Sequence, residues 1–339
     1  MSKVTYRRSR RPGCLTIILI LIIIGMALLW LHDRWNGKLV PGSKSTVGES
    51  RKWGEDAFPH MTETWSEGRG ETKVIRIPLR GMILLNTEPG LFGSVSAADL
   101  ARRSIRRATM DADVRALILE INSGGGGITA SDILYHELLR FKEAQPGRKI
   151  ITICEDVTAS GAYYVALASD KIIAHPTTIT GSLGVMIQTL NLHELGQLLG
   201  IKDVTIKSGE NKDLLNPFSE VSENQRELLQ GVVDAMHTRF KHLVAESRNL
   251  PADLVAPLAD GRIFTAADAL EQGLIDGIGY WDDALATLQQ LLDTEDVIIY
   301  RYEKGFSWRH LLRSSNALRP SVWLDTLQTP RLMYQWRID

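Results

Sequence analysis

Apolar residues in the middle of this 339-residue chain occur in two spacings, short unbroken runs and helical stripes. The runs predict strands at residues 74–79 paired with 81–85, and buried strands at 114–121, 150–154 and 171–174. The helical stripes predict helices at 97–110, from near Thr129 or Ser131, through 163–168, and at 220–248, 265–273 and 281–292. This alternation of strand and helix predicts an α/β fold in which loops at the strand ends carry the chemistry.

The N-terminal part of the chain carries a strong hydropathy signal. Residues 14–31 contain no charged side chain and are long enough to cross a hydrocarbon core of about 30 Å as a helix. A basic segment at residues 1–13 precedes them, and Trp30 and Trp35 at the far end are typical interface anchors. A cleaved signal peptide is the competing interpretation, but no small-residue cleavage site follows. We therefore expect an uncleaved transmembrane anchor with a cytoplasmic N-terminus, followed by a polar linker at residues 32–71.

Charge and composition limit the partners that the chain can have. The formal net charge is −1, which gives no reason to expect nucleic acid as a partner. Cys14 opens the apolar anchor and Cys154 lies in a predicted buried strand, so a disulfide between them is not expected. His237 and His242 are five residues apart on a predicted helix, a spacing that does not place both on one face for zinc. No metal or cofactor is predicted.

Three local patterns predict hydrolytic chemistry. Ser160 lies among small residues between a predicted strand and a predicted helix, where a sharp turn would present its hydroxyl. The glycine run at residues 124–127 also follows a strand and precedes a helix, so its N–H groups favour negative charge. Because this run lacks the Gly-Lys-Ser/Thr end of a phosphate-binding loop, an oxyanion is the better ligand. Lys212 lies further along, and an amine can accept a serine proton when burial lowers the amine pKa.

A Ser–His–Asp triad is the main chemical alternative to a serine–lysine pair. Asp156 is close to Ser160 in sequence, but we interpret it as capping the turn. The histidines fall on predicted helices or at a strand end, and each is interpreted as structural: His136, His175, His193, His237 and His242.

Four blocks of the sequence, in this order, resemble the signal peptide peptidase A (protease IV, SppA) family of membrane-bound serine proteases. They are residues 121–131, 151–185, 207–218 and 260–279. The resemblance spans residues 72–292, the expected peptidase domain, and leaves 293–339 as a C-terminal tail. It implies a crotonase-like (ClpP-like) α/β fold after one N-terminal transmembrane helix, and catalysis by a Ser–Lys dyad.

The resemblance also assigns roles to individual residues. It implies that Ser160 is the nucleophile, that Lys212 is the general base and that the Ser182 hydroxyl orients the lysine amine. It places Gly126 and Gly161 at the backbone donors of the oxyanion hole. Of the two lysines in the third block, the alignment favours Lys212 over Lys207. The sequence departs from the family where Gly124 replaces a proline and Ala162 replaces a second glycine after the serine.

The expected function is a membrane-anchored serine endopeptidase that degrades signal-peptide remnants or other small hydrophobic peptides through an acyl-enzyme. Its expected partners are peptide substrates and the lipid bilayer of the inner membrane, with the catalytic domain on the periplasmic side. Two alternatives stay open, a crotonase-type acyl-CoA enzyme and a proteolytically silent membrane scaffold. In tandem members of the family the serine and the lysine come from different halves of the chain. The resemblance therefore implies a homo-oligomeric ring in which neighbouring copies of this half-length chain share each site.

Overall fold

A computed structural model describes residues 59, 61–85, 96–304 and, for the backbone, 332–335. The predicted basic segment, the predicted anchor at 14–31, and most of the predicted linker and tail lie outside these residues. Within the described part, no helix combines the length and the apolar character needed to cross a membrane.

The described residues form alternating strands and helices. The strands are β1 Met61–Gly68, β2 Thr72–Arg80, β3 Val114–Ser123, β4 Gly125–Gly127, β5 Lys149–Ala159, β6 Lys171–Ala174, β7 Ile179–Gly181, β8 Met186–Ile187, β9 Ile263–Thr265, β10 Gly277–Ile278, β11 Val297–Lys304 and β12 Leu332–Gln335. The helices are α1 Ala97–Met110, α2 Ile128–Glu143, α3 Gly161–Ala166, α4 His193–Leu198, α5 Glu223–Arg248, α6 Ala252–Leu258, α7 Ala266–Glu271 and α8 Trp281–Leu292, with a 3₁₀ turn at Glu210–Asp213. The predicted α/β class is confirmed.

Capping residues explain where two of the long helices begin. Ser96 precedes α1, and its side chain accepts a hydrogen bond from the Asp99 N–H. Ser222 and Gln225 form a reciprocal capping box before α5, which satisfies two backbone donors at that helix end. These caps set the observed starts at Ala97 and Glu223, and the second is three residues later than the predicted residue 220.

The strands of the described part pair in two sheets. The larger has the order β1-β11-β2-β3-β5-β6-β10, with β7 pairing with both β5 and β9. Strands β2, β3, β5 and β6 run parallel, and each crossover between them carries a helix or a helix-containing loop. The smaller sheet has the order β4-β12-β8. The parallel strands end at the same edge of the large sheet, where both sequence motifs of the predicted site are found.

Strand β3 shows why these strands are unbroken apolar runs. Leu117, Leu119 and Ile121 face one buried cluster, whereas Ala116 and Ile118 face another. Successive side chains of a strand point to opposite faces, so a strand covered on both faces needs apolar residues at every position. Helix α8 packs on β5 over the second face, and α1 and α2 pack together over the first.

The strand predicted at residues 81–85 needs correction. Residues 81–85 do not form a strand paired with β2, because Ile83 makes an isolated parallel bridge to Gly126 instead. The large sheet also extends beyond residues 72–292, since β1 and β11 join it on either side of those bounds. Strand β11 inserts between β1 and β2, antiparallel to the first and parallel to the second.

Candidate active site

Ser160 occupies a strained turn between β5 and α3. Its φ of 55° and ψ of −120° lie outside the regions that most L-residues adopt. Its N–H donates to the Gly181 carbonyl at 2.8 Å, which ties the turn to the end of β7. The residue is 1% exposed, and its Oγ has no hydrogen-bond partner among the described residues. Strain and an unpartnered buried hydroxyl at one residue are features that folded proteins keep mainly at functional sites.

Ser182 follows the strand that anchors this turn. Like Ser160, it has a positive φ, 51°, and it is almost fully buried. Its N–H donates to the Arg262 carbonyl at 2.7 Å. Gly181 before it has a φ of 90°, and an added Cβ there would lie 2.5 Å from the Phe264 ring. The backbone therefore brings the two serines to neighbouring positions.

The glycine run forms β4 and is held in place by Ile83. The Ile83 N–H donates to the Gly125 carbonyl and the Gly127 N–H donates to the Ile83 carbonyl, both at 2.9 Å. All described peptide bonds are trans, so the N–H and the carbonyl of Gly126 point away from Ile83. An added Cβ at Gly126 would lie 2.3 Å from the Ile83 oxygen, which explains why only glycine fits. The Gly126 N–H is consequently directed away from Ile83, to the side of β4 on which β12 pairs.

Side chains connect the end of β3, just before the glycine run, to the end of β5, just before the serine turn. The Asn122 amide donates to Asp156 at 2.8 Å and accepts from the Val157 N–H at 3.3 Å. The Thr158 hydroxyl donates to the Ile121 carbonyl at 3.0 Å. Asp156 thus bonds across to the end of β3, and among the described residues it makes no hydrogen bond to the serine turn, which corrects its interpretation as a cap of that turn. These bonds fix the distance between β3 and β5 at the edge where Ser160 and Gly126 lie.

Two tyrosines immobilise the helix that begins at Gly161. The Tyr163 hydroxyl donates to the Leu274 carbonyl at 2.6 Å, and the Tyr164 hydroxyl donates to Asp132 at 2.6 Å. Burial raises the pKa of both phenols, so both remain protonated donors at neutral pH. Burial also raises the pKa of Asp132, but hydrogen bonds from Arg239 and Tyr164 outweigh it and leave that pKa below its usual value.

The two lysines of the third block differ in their surroundings. Lys207 donates to Asp213 at 2.8 and 3.0 Å and to the Glu210 carbonyl at 3.1 Å, so its ammonium is already engaged. The hydrogen bond from Lys207 lowers the pKa of Asp213, which keeps this ion pair charged. Lys212 is exposed on the 3₁₀ turn, and its amine makes no hydrogen bond or ion pair within the described part of the chain. The structure does not join Lys212 to Ser160 by a hydrogen bond within one chain.

Other nucleophiles and bases are less suited to this site. Burial raises the pKa of the Cys154 thiol to about 12, so this cysteine stays protonated and inert. No histidine of the described residues hydrogen-bonds to Ser160, and His193 instead contacts the Phe218 carbonyl and Gln197. Nor do the described residues contain a group of His, Cys, Asp or Glu that could hold a metal ion.

Sequence reasoning missed the residues that position the predicted site. Ile83 was predicted in a strand paired with β2, and its bridge to the glycine run left no signal in the local pattern. Asn122 could have been found, because an asparagine between a buried strand and a glycine run is typical of a side chain that bonds to nearby backbone. Strand β12, which pairs with β4 on the side opposite Ile83, could not be predicted from its four residues alone.

Comparisons with known proteins extend this picture. Peptidase family S49 matches residues 142–295. An Enterococcus faecium protein that carries the name signal peptide peptidase SppA is 33% identical over 290 residues, covering 81% of this chain and 84% of that protein. Protease 4 of Salmonella typhi is 28% identical over 193 residues, but these cover only 31% of its length. Among solved structures, a ClpP1 mutant from Listeria monocytogenes aligns with 62% of this chain and 93% of its own, at 15% identity and a TM-score of 0.39.

Proposed function

Since this chain belongs to the signal peptide peptidase A family of serine peptidases, we propose that it is a membrane-anchored endopeptidase with a Ser160–Lys212 dyad. The observation that carries the proposal is the buried, strained Ser160, whose Oγ has no partner in the described part of its own chain. The strand–turn–helix around it is the geometry expected of a nucleophile. The parallel sheet with its sites at the strand ends is also consistent with a crotonase-like fold, which we propose as its finer class.

The mechanism follows from what each group can do. The Lys212 amine takes the proton from the Ser160 hydroxyl as the oxygen attacks the peptide carbonyl, and a tetrahedral oxyanion forms. The amine then gives this proton to the leaving nitrogen, which departs with the C-terminal half of the peptide. A water molecule, deprotonated by the same amine, attacks the ester and releases the second product, and Ser160 recovers its proton. Ser182, next to the serine turn, is suited to orient the amine.

We assign two backbone N–H groups to the oxyanion hole. The Gly126 N–H points away from Ile83, to the side of β4 on which β12 pairs, as the bonds of Ile83 to the neighbouring glycines require. The Gly161 N–H is the first of α3, and the first N–H groups of a helix have no partner within the helix. One such donor contributes roughly 2.7–4 kcal/mol to transition-state stabilisation.

We propose further that each site is completed by a second copy of the chain. In one copy, Ser160 lacks a base while Lys212 is exposed without a partner in the described region. The segment before Lys212 exposes many large apolar side chains, which monomeric proteins rarely leave in contact with water. They are Leu190, Leu195, Leu198, Leu199, Ile201, Val204 and Ile206. Burying them against a neighbour would desolvate the amine, the condition under which a lysine becomes a base.

The anchor and the substrates complete the proposal. We place residues 14–31 across the inner membrane and the peptidase domain on the periplasmic side, since basic residues at 1–13 favour a cytoplasmic N-terminus. Peptides released within the membrane, such as signal-peptide remnants, would then be the nearby substrates. Protease added to spheroplasts should digest the domain, and protection of the domain there would refute this orientation.

The dyad is tested with single variants of the full chain. Ser160→Ala and Lys212→Ala should each abolish hydrolysis of casein or of a fluorogenic peptide, because residues that act as a unit fail together. Lys207→Ala is the matched control, and it should retain most activity while losing only its ion pair with Asp213. Ser160 of the wild type should react with a fluorophosphonate probe. Full activity in Lys212→Ala would overturn the assignment of the base.

The sharing of sites is tested by mixing two inactive variants. Ser160→Ala and Lys212→Ala chains are co-expressed with different affinity tags, and assemblies that carry both tags are isolated and assayed. If a serine and a lysine from different copies meet, some sites contain both and partial activity returns. If each copy is self-sufficient, every site lacks one member and the mixture stays inactive, which would exclude sharing.

A further inference from the structure

Strained backbone is concentrated at three turns that carry or flank the proposed catalytic groups. Five described residues other than glycine have a positive φ: Ser160, Ser182, Leu215, Asn249 and Asp293. The last two end helices, where the left-handed conformation is common, and the first two are the proposed nucleophile and the serine beside it. The remaining one, Leu215, lies three residues after Lys212. Strain of this kind persists only where surrounding contacts enforce it, and it clusters at functional sites.

The strained leucine belongs to a turn that begins directly after the lysine. Leu214 has a φ of −48° and a ψ of 133°, and the φ of Leu215 is 63°. The Asn216 N–H closes this turn by donating to the Asp213 carbonyl at 3.0 Å. These are the features of a type II turn, whose third residue is usually glycine or asparagine and not leucine. Because Asp213 is also the last residue of the 3₁₀ turn that carries Lys212, the lysine is joined directly to the strained turn.

The Asn216 side chain fixes this turn to the rest of the segment. Its amide N–H donates to the Asp203 carboxylate at 2.7 Å, and its amide oxygen accepts from the Phe218 N–H at 3.0 Å. Phe218 is held in turn, because its carbonyl lies 2.8 Å from the Nδ1 of His193, the first residue of α4. One half-buried side chain therefore connects the turn after Lys212 to Asp203 and to α4.

A base supplied by another copy needs a backbone that is fixed in this way. The base must lie within about 2.6–3.2 Å of the serine hydroxyl, and a misplacement of about 1 Å can lower the rate about 10²-fold. The Lys212 amine makes no hydrogen bond or ion pair within the described part of the chain. Its location before it meets the serine is consequently set by the turns on which it is carried.

We propose that Asn216, with Asp203 as its acceptor, is a positioning residue that fixes Lys212 for reaction with Ser160 of a neighbouring copy. The inference rests on the proposed function for the roles of Lys212 and Ser160. Leu215 keeps its strained φ because the bonds of Asn216 enforce it. Loss of the bond between Asn216 and Asp203 should release the turn, so kcat should fall while KM changes little.

The first experiment exchanges the two side chains in the full chain and measures peptide hydrolysis. Asn216→Asp places two carboxylates together and should lower kcat about 10²-fold. Asp203→Asn should lower kcat less, because its amide oxygen can still accept the bond. The double variant should recover at least about tenfold of the lost kcat, since the amide at position 203 can donate to the carboxylate at position 216. Thr205→Val is the matched control, because it removes the other donor to Asp203 and should keep kcat within about threefold.

The second experiment uses mixed assemblies of two inactive chains. In a mixture of Ser160→Ala and Lys212→Ala chains, the first supplies the lysine and the second supplies the serine. Asn216→Asp added to the Ser160→Ala chain should lower the restored activity at least about tenfold. The same substitution in the Lys212→Ala chain acts where no lysine is used, so it should lower the activity much less. Both mixtures contain the same number of altered chains, so equal losses would mean a general effect on folding or assembly and would overturn the inference.

Hydrogen exchange of the backbone amides in residues 209–219 gives a readout that does not depend on catalysis. Exchange should be faster in Asn216→Asp and should return to the wild-type rate in the double variant, while thermal unfolding checks that the large sheet is intact. Wild-type kcat in Asn216→Asp, or no recovery in the double variant, would show that the inference is wrong.

The outcomes also separate this inference from the proposed function. If the wild type cleaves no peptide, the proposed chemistry fails, and unchanged hydrogen exchange in Asn216→Asp would then refute the clamp itself. If the wild type is active but the mixture of Ser160→Ala and Lys212→Ala chains is not, the sharing of sites fails. A positioning role for Asn216 across copies fails with it.

Discussion

Replacement of Gly126 by alanine tests whether the glycine strand holds the oxyanion. A Cβ at this position would lie 2.3 Å from the Ile83 oxygen and 2.7 Å from the Ile83 nitrogen. These atoms are backbone, so no rotation of a side chain can relieve the overlap. To reach ordinary contact, β4 must withdraw from Ile83 by about 1 Å. The substitution thus displaces a backbone donor without removing any functional group.

The magnitude follows from that displacement. Loss of an oxyanion donor lowers kcat by about 10²–10³-fold, and a shift of about 1 Å at a reacting group costs a similar factor. We therefore expect kcat/KM of Gly126→Ala to fall at least 10²-fold. The strain should also lower the free energy of unfolding by about 1–3 kcal/mol.

Gly127→Ala is the matched control. Its φ of −63° suits alanine, and the nearest atom to an added Cβ is the Ala130 Cβ at 3.6 Å. Both variants are assayed with a fluorogenic peptide, and their thermal unfolding is measured in parallel. The control should keep kcat/KM within about threefold of the wild type, since its contacts are ordinary. A Gly126→Ala protein as active as the control would refute the assignment of this N–H to the oxyanion hole.

The remaining predictions concern the groups that hold the site in place. Gly181→Ala should lower both stability and activity, because the φ at this position is 90° and the added Cβ would lie 2.5 Å from the Phe264 ring. Thermal unfolding measures the effect on stability, and peptide hydrolysis measures the effect on activity. Tyr163→Phe leaves the buried Leu274 carbonyl without its donor and should cost about 1–2 kcal/mol in denaturant unfolding. Burial raises the pKa of Asp276, but the hydrogen bond from Arg248 and the other favourable interactions outweigh burial and lower that pKa overall. The ionised carboxylate therefore stabilises the folded protein at any pH above the pKa of this residue in the unfolded chain. That stabilisation is lost as the pH falls through its lower pKa in the folded protein. Asp276→Asn should therefore destabilise the protein at pH 7 by about 2–4 kcal/mol and progressively less toward pH 3, and a constant difference across this range would contradict the argument.

Local patterns predicted much of the fold and the core of the candidate site. The apolar runs predicted β3, β5 and β6, and the helical spacing predicted α1 and α8. These elements are predictable because an element buried on one or both faces needs apolar residues at a regular spacing. The serine turn was equally local, since strand, small residues and helix are adjacent in the chain. The ends of the sheet were harder to predict. Strand β1 falls in the predicted linker, and the pairing of β1 and β2 with β11 joins residues more than two hundred positions apart.

The amino-acid sequence by itself determined the alternation of strands and helices, the position of the serine turn and the membership of a peptidase family. These properties depend on residues that are neighbours in the chain or on motifs that keep a fixed spacing. Only the tertiary structure decided which atoms surround the turn. It directed the Gly126 N–H away from Ile83, engaged Lys207 with Asp213, left the Ser160 hydroxyl without a partner among the described residues and brought β12 beside β4. Hydrogen bonds between distant segments depend on which strands pair and in which register, and the local spacing of apolar residues does not determine that pairing.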